Sequence, residues 1–378
     1  MAGAGRPGPG RIAAPVDEGR PGGRVLDVGG LAETRGGPYP DLLTAPSLDP
    51  LLAAGRAAWR AVYDWLAAEL ADPDRLTPFL FPATGLTPVL PFTVADYVDF
   101  FACEQHAVNA GRIFRPGTPP LPPNWKHLPV GYHGRAGTVV VSGTPVTRPT
   151  GQRGPGDRGP TRSLDVEVEL GFVCGGSGPD PVSVDEALDH VFGVVVLNDW
   201  SARDIQAFES RPLGPLLGKA FATSVSAWIT PLDALSAAWT DPPTRDPAPL
   251  PYLFGRADRG LDVVLELAIN GHVVARPPAV DLYWTPAQFV AHLTAGGARL
   301  RPGDLLGSGT VSGSRRDQHG CLLELSWGGS EPLTLGDGTS RAYLEDGDEV
   351  VITASAPAVG GGRLALGEVR GRIHSAAV

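Results

Sequence analysis

From Leu164 to Phe172 the sequence LDVEVELGF alternates without a break: Leu164, Val166, Val168, Leu170 and Phe172 fall on one side, Asp165, Glu167 and Glu169 on the other. Side chains two apart on a strand share a face, so this segment is a strand whose apolar side packs on a core. Its other side then carries three carboxylates about 7 Å from one to the next, and like charges so placed repel. Two readings fit that face. It is either a surface wetted by solvent, or an oxygen-ligand site for a hard cation such as Mg²⁺ or Ca²⁺, with Glu167 and Glu169 as neighbouring ligands.

The rest of the chain extends the β reading. Val191 to Leu197 is a fully apolar strand ending in Asn198-Asp199, Thr138 to Ser142 is a second strand, and Asn270-Gly271 marks a hairpin. Further strands are expected near 322–327, 348–354 and 363–373. With 50 Gly and 39 Pro among 378 residues, turns and short strands are favoured over long helices. Three helices are still predicted. One runs from Asp49-Pro50 through Leu52, Trp59, Val62 and Leu66 to Leu70 and stops at Asp72-Pro73; Asp49 caps it. Thr93 and Asp96 form a capping box for another that runs toward Gly111, placing Asp99, Cys103 and His106 on one face. Thr285-Pro286 opens the third. The fold class is α+β and mainly β. Residues 1–22, rich in Gly, Pro and Arg, form a poorly ordered start; 23–90 form a small N-terminal domain with one long helix; 91–378 form the larger domain, with 71–92 as the linker between them.

Charge and composition exclude several roles. The net charge of -10 and the lack of a basic run argue against nucleic acid as a partner. No apolar stretch approaches a membrane span, and MAGAGRPGPGRIAAP has no apolar signal core, so no membrane role and a cytoplasmic location are expected. Cys103, Cys174 and Cys321 are odd in number and far apart, which makes them buried free thiols rather than a disulfide framework or a zinc site.

Against this background a few polar residues become candidates. Asp199 ends a buried strand, where ligands often project into a cleft; otherwise it is an ordinary turn carboxylate. Together with Asp99, Glu167 and Glu169 it offers carboxylates without Cys or His, a set that favours a hard cation over zinc. His106 is a candidate base and Glu324, in an expected strand, a candidate partner for its ring; a lone His is more often structural. Arg203, Gln206 and Lys219 are candidate donors. The glycine-rich GSGTVSG at 307–313 has neither the ending of a phosphate loop nor the setting of a dinucleotide fingerprint, and reads as a turn that approaches a ligand closely.

These residues sit in longer blocks: DYVDFFACEQHAVNAGRIFR at 96–115, PPNWKHLPVGYHGRAGTVVVSGTPV at 122–146, LDVEVELGFV at 164–173, VVLNDWSARDIQAFE at 195–209, PLGPLLGKAFATSVSAW at 212–228, RPGDLLGSGTVSGS at 301–314 and LLELSWGG at 322–329. Together they resemble the fumarylacetoacetate hydrolase (fumarylacetoacetase) family from about residue 90 onward. The resemblance implies a small N-terminal SH3-like β-barrel followed by a mixed β-sandwich roll, assembled as a homodimer. It implies a divalent metal, Mg²⁺ or Ca²⁺, on Asp99, Glu167, Glu169 and Asp199, and a second cation region at Lys219 and Thr223. By the same resemblance His106 is the general base, Glu324 orients it, and Arg203, Gln206 and Lys219 surround the developing negative charge. Arg115, Tyr132 and Thr310 match substrate contacts. Two positions depart from the pattern, Phe101 and Ser210 standing where the family usually has Tyr, so they bear on substrate choice.

The implied reaction is metal-dependent hydrolysis of a C–C bond in a β-diketone acid, with fumarylacetoacetate giving fumarate and acetoacetate in tyrosine catabolism as the leading case. A second reading keeps metal and base but changes the substrate to another β-diketone or acylpyruvate, or the reaction to isomerisation or decarboxylation. A non-catalytic metal-binding scaffold is the third, and the pair His106 and Glu324 argues against it.

Overall fold

The computed structural model describes residues 12–16, 23–178 and 181–377. The expectation of a poorly ordered start lies mostly outside these residues; within it, Ala13–Pro15 is a strand (β1). β1 pairs antiparallel with Arg24–Asp27 (β2), which pairs with Leu80–Pro82 (β3). Among the described residues this N-terminal sheet is open and three-stranded, without the closed barrel that the resemblance implied.

The central sheet explains the two strand signals in the sequence. It comprises Asp96–Phe100 (β4), Gly131–His133 (β5), Val139–Val141 (β6), Val168–Cys174 (β7), Val191–Asp199 (β8), Thr223–Val225 (β9) and Asp304–Gly307 (β10), in the order β5-β4-β10-β7-β8-β9-β6, with Thr230–Pro231 also pairing with β8. Both faces of this sheet are covered, so β8 can be apolar throughout. Val194 and Val196 join a core with Leu265, Leu267, Ile352 and Val369 of a second, five-stranded sheet. Val195 and Leu197 point the other way, into a cluster with Leu26, Leu52 and Trp59 of the N-terminal residues. The mixed β-sandwich is therefore roofed on its outer side by described residues among the first ninety, Leu26, Leu52 and Trp59 among them. Gly171 marks how tightly this is packed, since a Cβ there would lie 2.8 Å from Val195 Cγ2.

The hairpin and the capped third helix are where the sequence placed them. Asn270 and Gly271 both have positive φ between Val264–Ile269 and His272–Ala275, and Thr285 with Gln288 makes a capping box for Pro286–Thr294. Strands Glu349–Pro357 and Arg363–His374 also form.

Three local expectations are corrected. The long helix is two, Asp49–Ala54 and Arg56–Leu70, broken at Gly55 with φ 79°. Asp49 does not cap it; its carboxylate instead accepts the Thr93 amide and hydroxyl at 2.7 and 2.8 Å, which ties Thr93 down and removes it as a helix cap. The predicted helix from Thr93 is a strand, β4, followed by Glu104–Phe114, so Asp99 is on a strand and not on one helical face with His106. The DYVDF sequence pairs in parallel with β10, and sheet pairing outweighs its helical spacing. Finally, Leu322–Leu325 is a one-turn helix where a strand was expected. All three cysteines are buried free thiols, and among the described residues no helix is long and apolar enough to cross a membrane.

Candidate active site

Adjacent strands bring the acidic residues together. Asp99 lies opposite Gly307 in the β4–β10 register, Gly307 lies opposite Gly171 on β7, and Asp199 at the end of β8 faces Thr223 on β9. Glu167 sits in the short break between Leu164–Asp165 and β7, where it forms an isolated bridge with Cys321. The polar side of the alternating segment is thus not wetted: Asp165, Glu167 and Glu169 are all buried, as are Asp99 and Asp199.

Oxygens of Asp99, Glu167 and Glu169 lie within 4.8 Å of one another. Asp199 stands beside this trio, its Oδ2 accepting the Tyr132 hydroxyl at 2.6 Å and Lys219 Nζ at 2.9 Å, its Oδ1 accepting the Thr223 hydroxyl at 2.7 Å. Lys219 also donates to Glu167, and Arg203 NH1 reaches the other oxygen of Glu167 at 2.7 Å. Two cations thus face four carboxylates. The electrostatics follow from that imbalance. Burial, reinforced by Asp199, raises the Asp99 carboxyl to about 8, and burial with Asp99 beside it holds Glu169 well above its usual range. Burial opposes the charge on Glu167 too, but Lys219 and Arg203 outweigh it and hold that group low.

This trio fits a divalent cation. Glu169 Oε1 is buried without a hydrogen-bond partner, the donors are all oxygen, and the excess is negative. Gly307 keeps the space open, because a Cβ there would come within 2.6 Å of Asp99 Oδ1 and 3.1 Å of Glu169 Oε2. The glycine-rich loop contributes directly: the Gly309 amide donates to Asp99 Oδ1 at 3.2 Å and to Glu169 Oε2 at 3.1 Å, and its φ of 72° suits glycine.

His106 projects from Glu104–Phe114, and its Nδ1 is 2.6 Å from Glu324 Oε2. Glu324 is held by more than the ring. Ser312 Oγ donates to Oε2 at 2.7 Å and Asn109 Nδ2 to Oε1 at 2.8 Å. Burial disfavours its charge, yet His106 and these donors prevail and lower its carboxyl to about 2. An ionised Glu324 can only accept, so Nδ1 carries the shared proton and Nε2 is the ring nitrogen that has a lone pair whenever the ring is neutral. The Cys321 thiol is 3.2 Å from Glu324, and burial pushes it well above the usual thiol range, so it is a donor and not a thiolate.

The other sequence candidates divide. The Phe101 ring meets the His106 ring edge-on, centroids 5.3 Å apart. Thr310 is buried with a hydroxyl that has no partner. Gln206 Oε1 accepts Arg203 NH1 at 3.2 Å, but Ser210 donates back to the Gln206 carbonyl within its own helix, Arg203–Glu209 and its cap. Arg115 donates to the Pro120 carbonyl at 2.8 Å, away from the acidic trio's hydrogen bonds. A cavity of about 130 Å³ lined by Tyr97, Tyr132, Asp199, Lys219 and Thr223 opens beside the carboxylates.

Sequence reasoning missed several residues that build the site. Asn109 and Ser312 hold Glu324, and Glu209 accepts the amides of Leu216, Leu217 and Gly218 at 2.7–3.0 Å, fixing the turn that delivers Lys219. Asn109 lies one turn from His106 on the same helix, a spacing that could have raised it. Nothing local marks Ser312 or Glu209.

A profile described as Fumarylacetoacetate (FAA) hydrolase C-terminal matches residues 97–374. The fumarylacetoacetase of Homo sapiens is 40% identical, with 93% of this chain and 90% of that protein covered. That of Arabidopsis thaliana is 42% identical, covering 83% and 79%. Among solved structures, a fumarylacetoacetate hydrolase from Exiguobacterium antarcticum shares the fold with a TM-score of 0.56 at 18% identity, over 97% of this chain and 96% of that one. With a profile spanning the whole acidic site and relatives this similar along nearly their full length, the chain belongs to the fumarylacetoacetate hydrolase family.

Proposed function

We propose that this protein hydrolyses a C–C bond of a β-diketone acid, with fumarylacetoacetate as substrate and fumarate and acetoacetate as products. The observation that carries the reading is the buried pair His106–Glu324, at 2.6 Å, linked to Glu167 of the buried acidic trio through Cys321, which bridges Glu167 by its backbone and reaches Glu324 with its thiol. Family membership and the names of the relatives supply the substrate.

A divalent cation, Mg²⁺ or Ca²⁺, on Asp99, Glu167, Glu169 and Asp199 supplies Lewis-acid polarisation of the diketone oxygens when bound. The chain's residues do the rest. His106 Nε2 takes a proton from a water whose oxygen adds to one carbonyl carbon. As the C–C bond breaks, its electron pair leaves with the neighbouring carbon as an enolate. Arg203, Gln206 and Lys219 are the donors to that charge, and Arg203 NH2 is buried and has no partner in the protein. The proton on His106 Nε2 is then returned to the enolate carbon, which completes acetoacetate and restores the base. Tyr132, Thr310, Phe101, Ser210 and Arg115 belong in this reading to the substrate pocket, and Lys219 with Thr223 to a second cation region. The family resemblance extends it to a homodimer working in the cytoplasm.

Incubation with fumarylacetoacetate, with fumarate and acetoacetate identified as products, tests the proposal. Intact substrate in the presence of Mg²⁺ or Ca²⁺, or an isomer as the product, rejects it.

A further inference from the structure

Asp165 ends the short strand Leu164–Asp165, two positions before Glu167, and its carboxylate is fully buried. It makes four hydrogen bonds. Oδ1 accepts the amides of Val166 at 2.8 Å and Leu322 at 2.7 Å; Oδ2 accepts the Leu323 amide at 2.9 Å and Arg203 Nε at 2.8 Å. Three of these donors belong to the two groups on which the reaction depends. Leu322 and Leu323 begin the single turn Leu322–Leu325 that carries Glu324, and that turn has no side-chain cap of its own from Cys321. One isolated helical turn is unstable, so its orientation must come from outside. Arg203 is fixed at Nε by Asp165 and at NH1 by Glu167 and Gln206, leaving NH2 as its one unpartnered nitrogen.

We propose that Asp165 is a positioning residue that sets the base and the cationic wall in one register, acting through Glu324 and Arg203 without touching substrate. Both its oxygens accept from two donors each, so the demand is for a carboxylate. An asparagine in the same space presents one oxygen and one NH₂ group, and whichever way it turns, two N–H donors face its amide hydrogens. Either way the turn bearing Glu324 loses one of its two amide bonds to Asp165, at Leu322 or at Leu323. Misplacement by about 1 Å of a group that orients the base is enough to cost on the order of 10²-fold in rate.

The test uses Asp165→Asn in the full chain and two readouts, and it rests on the hydrolase reading only for the first. In turnover of fumarylacetoacetate, Asp165→Asn is expected to lower kcat by about 10²-fold with a much smaller change in KM, and adding Glu324→Gln is expected to cost little more. Losses that multiply in the double variant overturn the proposal, because they show Asp165 acting independently of Glu324. The second readout is proton NMR of the imidazole N–H that His106 shares with Glu324, identified by its change in position in Glu324→Gln. It is expected to shift or vanish in folded Asp165→Asn, and an unchanged resonance overturns the proposal. Wild-type protein inactive on fumarylacetoacetate but showing this loss of resonance rejects the hydrolase reading and keeps the role of Asp165. Should Asp165→Asn not fold, Asp165→Glu, which keeps the charge but cannot hold the same four donors, is read in the same two ways. Failure of both to fold makes Asp165 a residue of folding alone and overturns the proposal.

Discussion

Glu324 lies 218 positions from His106 in the chain and 2.6 Å from it in space, and Ser312, Asn109 and the Cys321 thiol also donate to its carboxylate. The imidazole is therefore held by a carboxylate that is itself held. His106→Ala should lower turnover by about 10²–10⁴-fold, the usual worth of general-base assistance, while calorimetric Mg²⁺ binding survives. Glu324→Gln should slow turnover less, since the ring stays in place. Unchanged rates in His106→Ala would remove the residue from the mechanism.

The depressed Glu324 carboxyl links stability to pH. Its pKa is about 2 in the folded protein against an ordinary 4.5, so on acidification the unfolded chain takes up this proton first. The associated stability is present above about pH 4.5 and is lost as pH falls toward 2. Urea unfolding of wild type and Glu324→Gln along this range should show a difference that is largest above pH 4.5 and shrinks below it. A difference that grows on acidification would contradict the pairing.

Glu169 has a buried oxygen with no partner in the protein, open to the proposed cation. Glu169→Gln should weaken Mg²⁺ or Ca²⁺ by at least the 10–100-fold typical of residues that merely support a ligand, read by calorimetry. Chelator should abolish turnover and added metal restore it. A crystal structure grown with either ion should show carboxylate oxygens at about 2.0–2.6 Å from it; an ion elsewhere in the protein counts against the site.

Phe101 packs edge-on against the His106 ring and Ser210 turns its hydroxyl onto its own helix, so neither offers a phenolic donor to substrate. The pocket is expected to be less polar at one wall and roomier at the other, which suits a bulkier or less acidic acyl group. A hydrogen bond to a neutral partner is worth about 0.5–1.5 kcal/mol, so Phe101→Tyr/Ser210→Tyr should raise kcat/KM for fumarylacetoacetate by roughly 5–100-fold relative to larger β-diketones. No gain in that ratio means that other groups or water already fill the role.

The sequence by itself determined the elements whose signal is local. The alternation of 164–172 and the apolar run 191–197 form strands because period and apolarity are properties of neighbouring residues, and Asn270-Gly271 and Thr285-Pro286 act through their own backbones. The candidate acids and His106 were raised by residue type and strand position, and their roles came from whole blocks that resemble one family. Only the tertiary structure decided that Asp99 rides on a strand, since a parallel partner 208 positions away at Gly307 outweighs the helical spacing of its neighbours. It also decided that the acidic face is buried, that Glu324 sits on a one-turn helix, and that Asp165, Asn109, Ser312 and Glu209 serve the site. Hydrogen bonds and ion pairs act over a few ångströms, and only the folded sheet makes residues this distant in sequence neighbours.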